Sequence, residues 1–166
     1  MKFLTIVLGL ILIGFAAAQT DQMTFEKLKQ EADKLYNEKS YGLALDRYTE
    51  ASKMQMPAAE ARWVKFRIAD CLWRSQSATN TWDQSKYDQA QAQIEAVIKD
   101  TDSLPEKDRV WAEANQSLGD FWWLRRNVRN WGQAWPFYEK ALDWWGGSAD
   151  LDVARDRYLK LIWNMT

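Results

Sequence analysis

Residues 41–51, YGLALDRYTEA, decide the fold, because Tyr41, Ala44, Tyr48 and Ala51 recur at intervals of three and four and so share one face of a helix. The same pattern returns twice. Residues 87–97, YDQAQAQIEAV, carry Tyr87, Ala90, Ile94 and Val97, and residues 131–141, WGQAWPFYEKA, carry Trp131, Ala134, Tyr138 and Ala141. Upstream of each lies a second helical pattern with a small residue at its centre: Leu28, Ala32 and Leu35; Ile68, Ala69 and Leu72; Leu118, Gly119 and Trp122. A small residue on each of two helices lets their backbones approach closely, and the large residue four positions on fills the space between neighbouring pairs. A single pair would leave an apolar face wet, so the pairs must stack.

Working outward, no alternation of apolar and polar residues persists long enough for a strand, and the class is all-α. Thr24 starts a helix to about Lys39, Ser40 caps a second to about Met54, and Pro57 opens a third to about Ser75. A polar stretch, Gln76 to Thr81, precedes a fourth from about Asp83 to Lys99. Ser103 and Glu106 form the S-x-x-E capping box of a fifth ending near Arg126. Asn130 caps a sixth, which Gly146 and Gly147 end. Pro136 predicts a bend in it or a start nearer Ala134. Ser148 starts a seventh, with Leu151, Ala154, Tyr158, Leu161 and Ile162 at helical spacing.

These paired units resemble the tetratricopeptide repeat, with its small residue on each helix and a late proline, here Pro57 and Pro105. The resemblance implies a right-handed superhelical stack of antiparallel helix pairs, a TPR-like solenoid, over residues 19–166. Its repeats fall at about 25–57, 58–105 and 106–145, and a capping helix follows at 148–164. The first unit keeps the family's internal spacing. The second is longer around Arg74 to Trp82, and the third slightly longer.

In such a stack the first helix of each pair lines the concave face. That implies a groove presenting Asp33, Tyr36 and Asn37, then Asp70, Trp73 and Arg74, then Asp120, Trp123 and Leu124. Trp63, Phe66, Asp70 and Trp73 also form one helical stripe beside the Val64, Ile68, Leu72 stripe. The expected partner-binding groove is therefore Tyr36, Asn37, Trp63, Phe66, Asp70, Trp73, Arg74, Asp120 and Trp123, since Trp, Tyr and Arg dominate binding hot spots. The competing reading packs the third helix between the first and fifth, with its aromatics inside. Trp111, Trp122, Trp131, Trp135, Trp144 and Trp145 read as packing, and Trp82 as covered by its own polar loop. The run Arg125, Arg126 and Arg129 reads as a solvated helix end, with a carboxylate clamp as the alternative.

Composition narrows the chemistry. Twenty-two basic against 23 acidic side chains give a net charge of -1, so nucleic acid is not an expected partner. The absence of histidine removes Ser-His-Asp and Cys-His catalysis and histidine metal sites, and a single cysteine, Cys71, cannot form an intrachain disulfide. Asp70 and Asp120 could be the carboxylate pair of a sugar-cleaving enzyme, but an aspartate also occupies the matching place in the first unit, Asp33, which marks a scaffold feature. The sequons at Asn115 and Asn164 matter only on a eukaryotic secretory route.

Lys2, an apolar run from Phe3 to Phe15 and Ala16 to Ala18 read as a secretory signal peptide over residues 1–18, too short to span a membrane. The expectation is an exported periplasmic or extracellular module that binds a protein or peptide partner, with no catalysis, cofactor or metal. Its membrane contact is through the leader alone. The alternatives are the docking segment of a larger cell-envelope protein, and a glycan-binding or glycan-processing protein with tryptophans as stacking platforms. The end at Thr166, soon after an apolar run, raises the possibility of a fragment.

Overall fold

The computed structural model describes residues 24–79, 82–102 and 106–166, so the expected leader and Ser103 of the expected capping box lie outside the described part. Among the described residues are seven α-helices and no strand: α1 (Phe25–Asn37), α2 (Tyr41–Ala51), α3 (Ala58–Ala78), α4 (Gln84–Asp102), α5 (Arg109–Trp123), α6 (Trp131–Gly146) and α7 (Leu151–Met165). A 3-10 turn, Arg126–Val128, lies between α5 and α6. No helix among the described residues is long and apolar enough to cross a membrane.

The ends are set by local chemistry, in part as expected. The Thr24 hydroxyl accepts from the Lys27 N–H at 3.3 Å, and the Asn130 side-chain oxygen Oδ1 accepts from the Gln133 N–H at 3.1 Å. Ser40 stands at the start of α2 but makes no side-chain capping bond. Three boundaries differ. The α3 helix runs through Gln76 and Ser77 to Ala78, with Thr79 closing it by donating its hydroxyl to the Ser75 carbonyl at 2.9 Å. The cap of α5 is Asp108, accepting from the Trp111 N–H at 3.0 Å, and the helix ends at Trp123, short of Arg126. The cap of α7 is Asp150, not Ser148, and accepts from the Val153 N–H at 3.3 Å. Asp108 and Asp150 place a carboxylate on free N–H groups at the positive end of the helix dipole, which a serine matches less well. Pro136 lies inside α6 without ending it.

Each helix packs on its successor, and α3 also packs on α5. The core accordingly falls into three clusters. The first joins Leu28 and Ala32 of α1, Ala44, Tyr48 and Ala51 of α2, and Val64 and Cys71 of α3. The second joins Phe66, Ala69 and Trp73 of α3, Ala90, Ile94 and Val97 of α4, and Ala114, Leu118 and Phe121 of α5. The third joins Trp111 and Ala112 of α5, Ala134, Tyr138, Ala141 and Trp145 of α6, and Ala154 and Leu161 of α7. Thus α3 and α5 each serve two clusters, which is why α3 carries two apolar stripes.

The repeat positions occupy the centres of these clusters. Ala32, Ala44, Tyr48 and Ala51, then Ala69, Ala90, Ile94 and Val97, then Ala134, Tyr138 and Ala141, are all fully buried. Gly119 shows why its position must be small: a Cβ there would sit 2.4 Å from Cδ1 of the Tyr138 ring. Each fully buried large side chain contributes about 1.5–3 kcal/mol relative to exposure, so closeness at the alanines and glycine is what makes the stack worth forming.

Candidate functional site

A cleft of about 200 Å³ lies where four alternate helices meet. Its walls are Tyr36 and Asn37 of α1, Phe66, Arg67, Asp70 and Arg74 of α3, Glu113, Gln116 and Ser117 of α5, and Asp156, Arg157 and Lys160 of α7. Of the nine expected groove residues, it brings together Tyr36, Asn37, Phe66, Asp70 and Arg74.

Below the cleft the charged side chains are matched to one another. Asp70 is fully buried and accepts from four partners: the Tyr36 hydroxyl at 2.5 Å, the Trp73 indole N–H at 3.1 Å, Arg74 Nε at 2.8 Å and the Ser117 hydroxyl. Arg74 also donates to Asp120 at 2.8 Å, tying α3 to α5. Asp120 accepts further from the Tyr138 hydroxyl of α6 at 2.8 Å and from Asn164 Nδ2 of α7 at 3.1 Å. Arg67 pairs with Glu113 at 3.0 Å, while Arg109 at 2.8 Å and Arg157 at 3.2 Å reach the other carboxylate oxygen of Glu113. Arg67 is also stacked on the rings of Tyr36 at 4.2 Å and Trp63 at 4.1 Å.

This network explains the recurring aspartate. In the first unit the Tyr48 hydroxyl of α2 donates to Asp33, and in the third the Tyr138 hydroxyl of α6 donates to Asp120. The second unit has Ile94 where the others have tyrosine, so Asp70 has no such donor on α4 and takes its partners from α1, α3 and α5 instead. The aspartates join each pair, or neighbouring pairs, from within.

Electrostatically the cluster is settled. Burial pushes the Asp70 carboxyl up, but Arg74 and Arg67 and the bonds from Ser117 and Tyr36 outweigh it and hold the group below the usual carboxylate range. Burial pushes the Tyr36 and Tyr138 phenols well above their ordinary range, as it does the Cys71 thiol. Near neutral pH, Asp70 is an anion and the phenols and thiol keep their protons. None of these groups is poised to exchange a proton there.

Several expected groove residues are instead interior. Trp73 is 2% exposed, packs edge-on against Phe121 at 5.7 Å, and donates its indole N–H to Asp70 and Ser117; Phe66 belongs to the same cluster. The expectation of an open aromatic floor is corrected at both, because α3 lies between two clusters and spends its second apolar face on the next pair. Asp120 is also buried. Trp63 is half-buried and packed against two clusters, and Trp123 is half-buried against Trp131, at 5.0 Å between ring centres.

The tryptophans read as packing divide. Trp111 and Trp145 are buried, and Trp144 donates its indole N–H to the Lys107 carbonyl at 3.1 Å. Trp131 and Trp135 are 36% and 39% exposed and, with Trp123, form a ladder of rings on the surface, with Arg129 stacked 4.6 Å from the Trp123 ring. Trp82 is 50% exposed rather than covered by its loop, and the lengthened α3 takes up Gln76, Ser77 and Ala78 of that loop. Asn115 of the first sequon is buried and donates to the Trp111 carbonyl at 2.9 Å, which closes it to a glycan in the folded chain.

Residues that the sequence reading passed over are Arg67, Glu113, Ser117, Arg157 and Lys160. Arg67 shares its helix face with Asp70 and Arg74, and Glu113 shares its own with Arg109, Gln116 and Ser117, so both read as parts of polar faces and only the fold pairs them. Comparison with family models, with curated proteins and with solved structures finds no match for the chain.

Proposed function

We propose that this chain is a TPR-like solenoid, a right-handed stack of three helix pairs closed by α7, and that it binds an extended segment of a protein partner without catalysis. The observation that carries the reading is the shared cleft. Helices α1, α3, α5 and α7, the first members of successive pairs, all contribute to its wall, as the resemblance implies for a concave binding face. The internally matched charges support a recognition role: they hold the wall rigid and leave Asn37, Asp156 and Lys160 at its exposed rim to read a partner. Asp70 and Asp120 share Arg74 within one network, which supports the scaffold reading over two carboxylates kept in unlike environments. Export, and a periplasmic or extracellular address, rest on the sequence of residues 1–18.

Selection of a displayed library of linear peptides against the full chain tests this reading. Selected peptides should bind roughly tenfold more weakly, or worse, to an Asn37→Arg, Lys160→Glu variant whose helical circular dichroism is unchanged. Peptides indifferent to both changes would refute the cleft as the binding face.

One observation favours a second reading, glycan binding: the surface ladder of Trp123, Trp131 and Trp135 offers ring faces for sugar stacking. Saturable quenching of tryptophan fluorescence by soluble oligosaccharides, lost in Trp135→Ala, would support it.

A further inference from the structure

A second cleft, about 450 Å³, is lined by Gln76 and Ser77 at the end of α3, Trp82 and Tyr87 before and on α4, and the Leu124 to Asn127 segment after α5. Its deepest charge is Arg125, only 6% exposed. The other buried charged side chains, Arg67, Asp70, Glu113 and Asp120, all stand in ion pairs. Among the described residues Arg125 makes no ion pair and its Nε has no hydrogen-bond partner. Among the described residues the side-chain amide oxygen of Gln76, Oε1, lining the same cleft, is also without a partner.

An unpaired buried guanidinium is costly unless something else offsets it. Aromatic rings do so in part. The guanidinium carbon lies 4.0 Å from the Tyr87 ring centre and 4.2 Å from that of Phe121, with Trp82 at 5.4 Å. Ring contacts satisfy the faces of a guanidinium and leave its hydrogen-bonding edge unsatisfied. The cleft lining contains two arginines, Arg125 and the exposed Arg126, and no carboxylate. Asp88 on α4 acts on Arg125 only at a distance, its carboxylate accepting from Gln84 at 2.7 Å, and burial lowers the affinity of Arg125 for its proton despite it.

From this we propose that the cleft binds a carboxylate carried next to a flat apolar group. The edge of the Arg125 guanidinium matches the two oxygens of a carboxylate, and one buried cation suits one negative charge. Trp82, half exposed and packed against Tyr87 at 5.4 Å, together with exposed Leu124, supplies the apolar wall for the neighbouring group. The unpartnered Gln76 Oε1 calls for an N–H donor in the same ligand. An N-acylated amino acid has all three features, whether free or as the C-terminal residue of a polypeptide. This site is separate from the cleft of the proposed partner groove and stands or falls without it.

Calorimetric titration of the full chain with N-acetylphenylalanine tests the proposal, alongside its C-terminal amide, inorganic phosphate as competitor, and a longer peptide ending in the same residue. The free acid should bind saturably, and the amide roughly tenfold more weakly or worse. Arg125→Gln should lose binding by a similar factor while keeping its helical circular dichroism, and Arg125→Lys should restore part of it. The Arg125 Nε–H resonance should shift on titration. Tighter binding of the longer peptide identifies a chain terminus as the source of the carboxylate, and equal binding a small acid. Equal binding of acid and amide, displacement by phosphate at matched concentration, an unaltered Arg125→Gln titration, or the absence of saturable binding would each overturn it.

Discussion

The two clefts differ in how they treat buried charge. Beneath the cleft of α1, α3, α5 and α7, each buried carboxylate faces an arginine and each arginine a carboxylate, joined by tyrosine, serine and tryptophan donors. At the far end of α3 and α5, Arg125 is also buried and has rings for neighbours but, among the described residues, no ion pair. Buried charge paired with its opposite holds helices in register, and removing one member leaves the other stranded. Buried charge without an ion pair leaves its hydrogen-bonding edge free to meet a ligand.

The largest effect that separates the two regions is expected at Asp70. Asp70→Asn leaves Arg74 and Arg67 without their shared anion, and urea unfolding should show a loss of about 3–5 kcal/mol. The effect carries a pH signature. The folded group titrates below its ordinary value of 3.8, so its contribution is fully present above that pH and disappears as the pH falls through the folded value. The variant should lack this component of acid destabilisation. A loss below about 1 kcal/mol would put the network at the level of surface ion pairs.

A smaller effect is expected from Gly119→Ala. The added Cβ would collide with the Tyr138 ring, at 2.4 and 2.5 Å from two of its carbons, and force α5 and α6 apart at a cost of about 1–3 kcal/mol, measured by the same unfolding experiment. Smallest of all is the expected effect of Arg125→Gln. With no ion pair to lose, its unfolding free energy should stay within about 1 kcal/mol of the parent. A loss like that of Asp70→Asn would erase the contrast between the clefts and make Arg125 a structural member.

Much of the helical layout was legible in the residues, because period and small-residue spacing are local signals. Ala44, Tyr48 and Ala51, Ala90, Ile94 and Val97, and Ala134, Tyr138 and Ala141 were each placed on a buried face by spacing alone, and all are buried. Ends were less legible. Ser148 yielded to Asp150, since a cap is chosen by which side chain reaches the free N–H groups and several candidates lie close in sequence, and α5 stopped at Trp123, short of Arg126, where no glycine or proline marks the end. The candidate site was legible in its residues but not in their exposure. Trp73, Phe66 and Asp120 lie on helix faces that look surplus to one pair, and only the next pair, packed on α3 and α5, shows where those faces go. Arg125 was the reverse case: a charge beside a second arginine reads as a wet helix end, and burial came from the turn after α5 and from Tyr87 and Phe121, one of them distant in sequence.

The central claim is that charge matching between neighbouring pairs locks the stack together, and the contact that expresses it is Arg74 on α3 with Asp120 on α5. A double-mutant cycle with Arg74→Gln and Asp120→Asn, read by urea unfolding, isolates that contact. A coupling energy of about 1.5 kcal/mol or more is expected, and a value under about 0.5 kcal/mol would contradict the account.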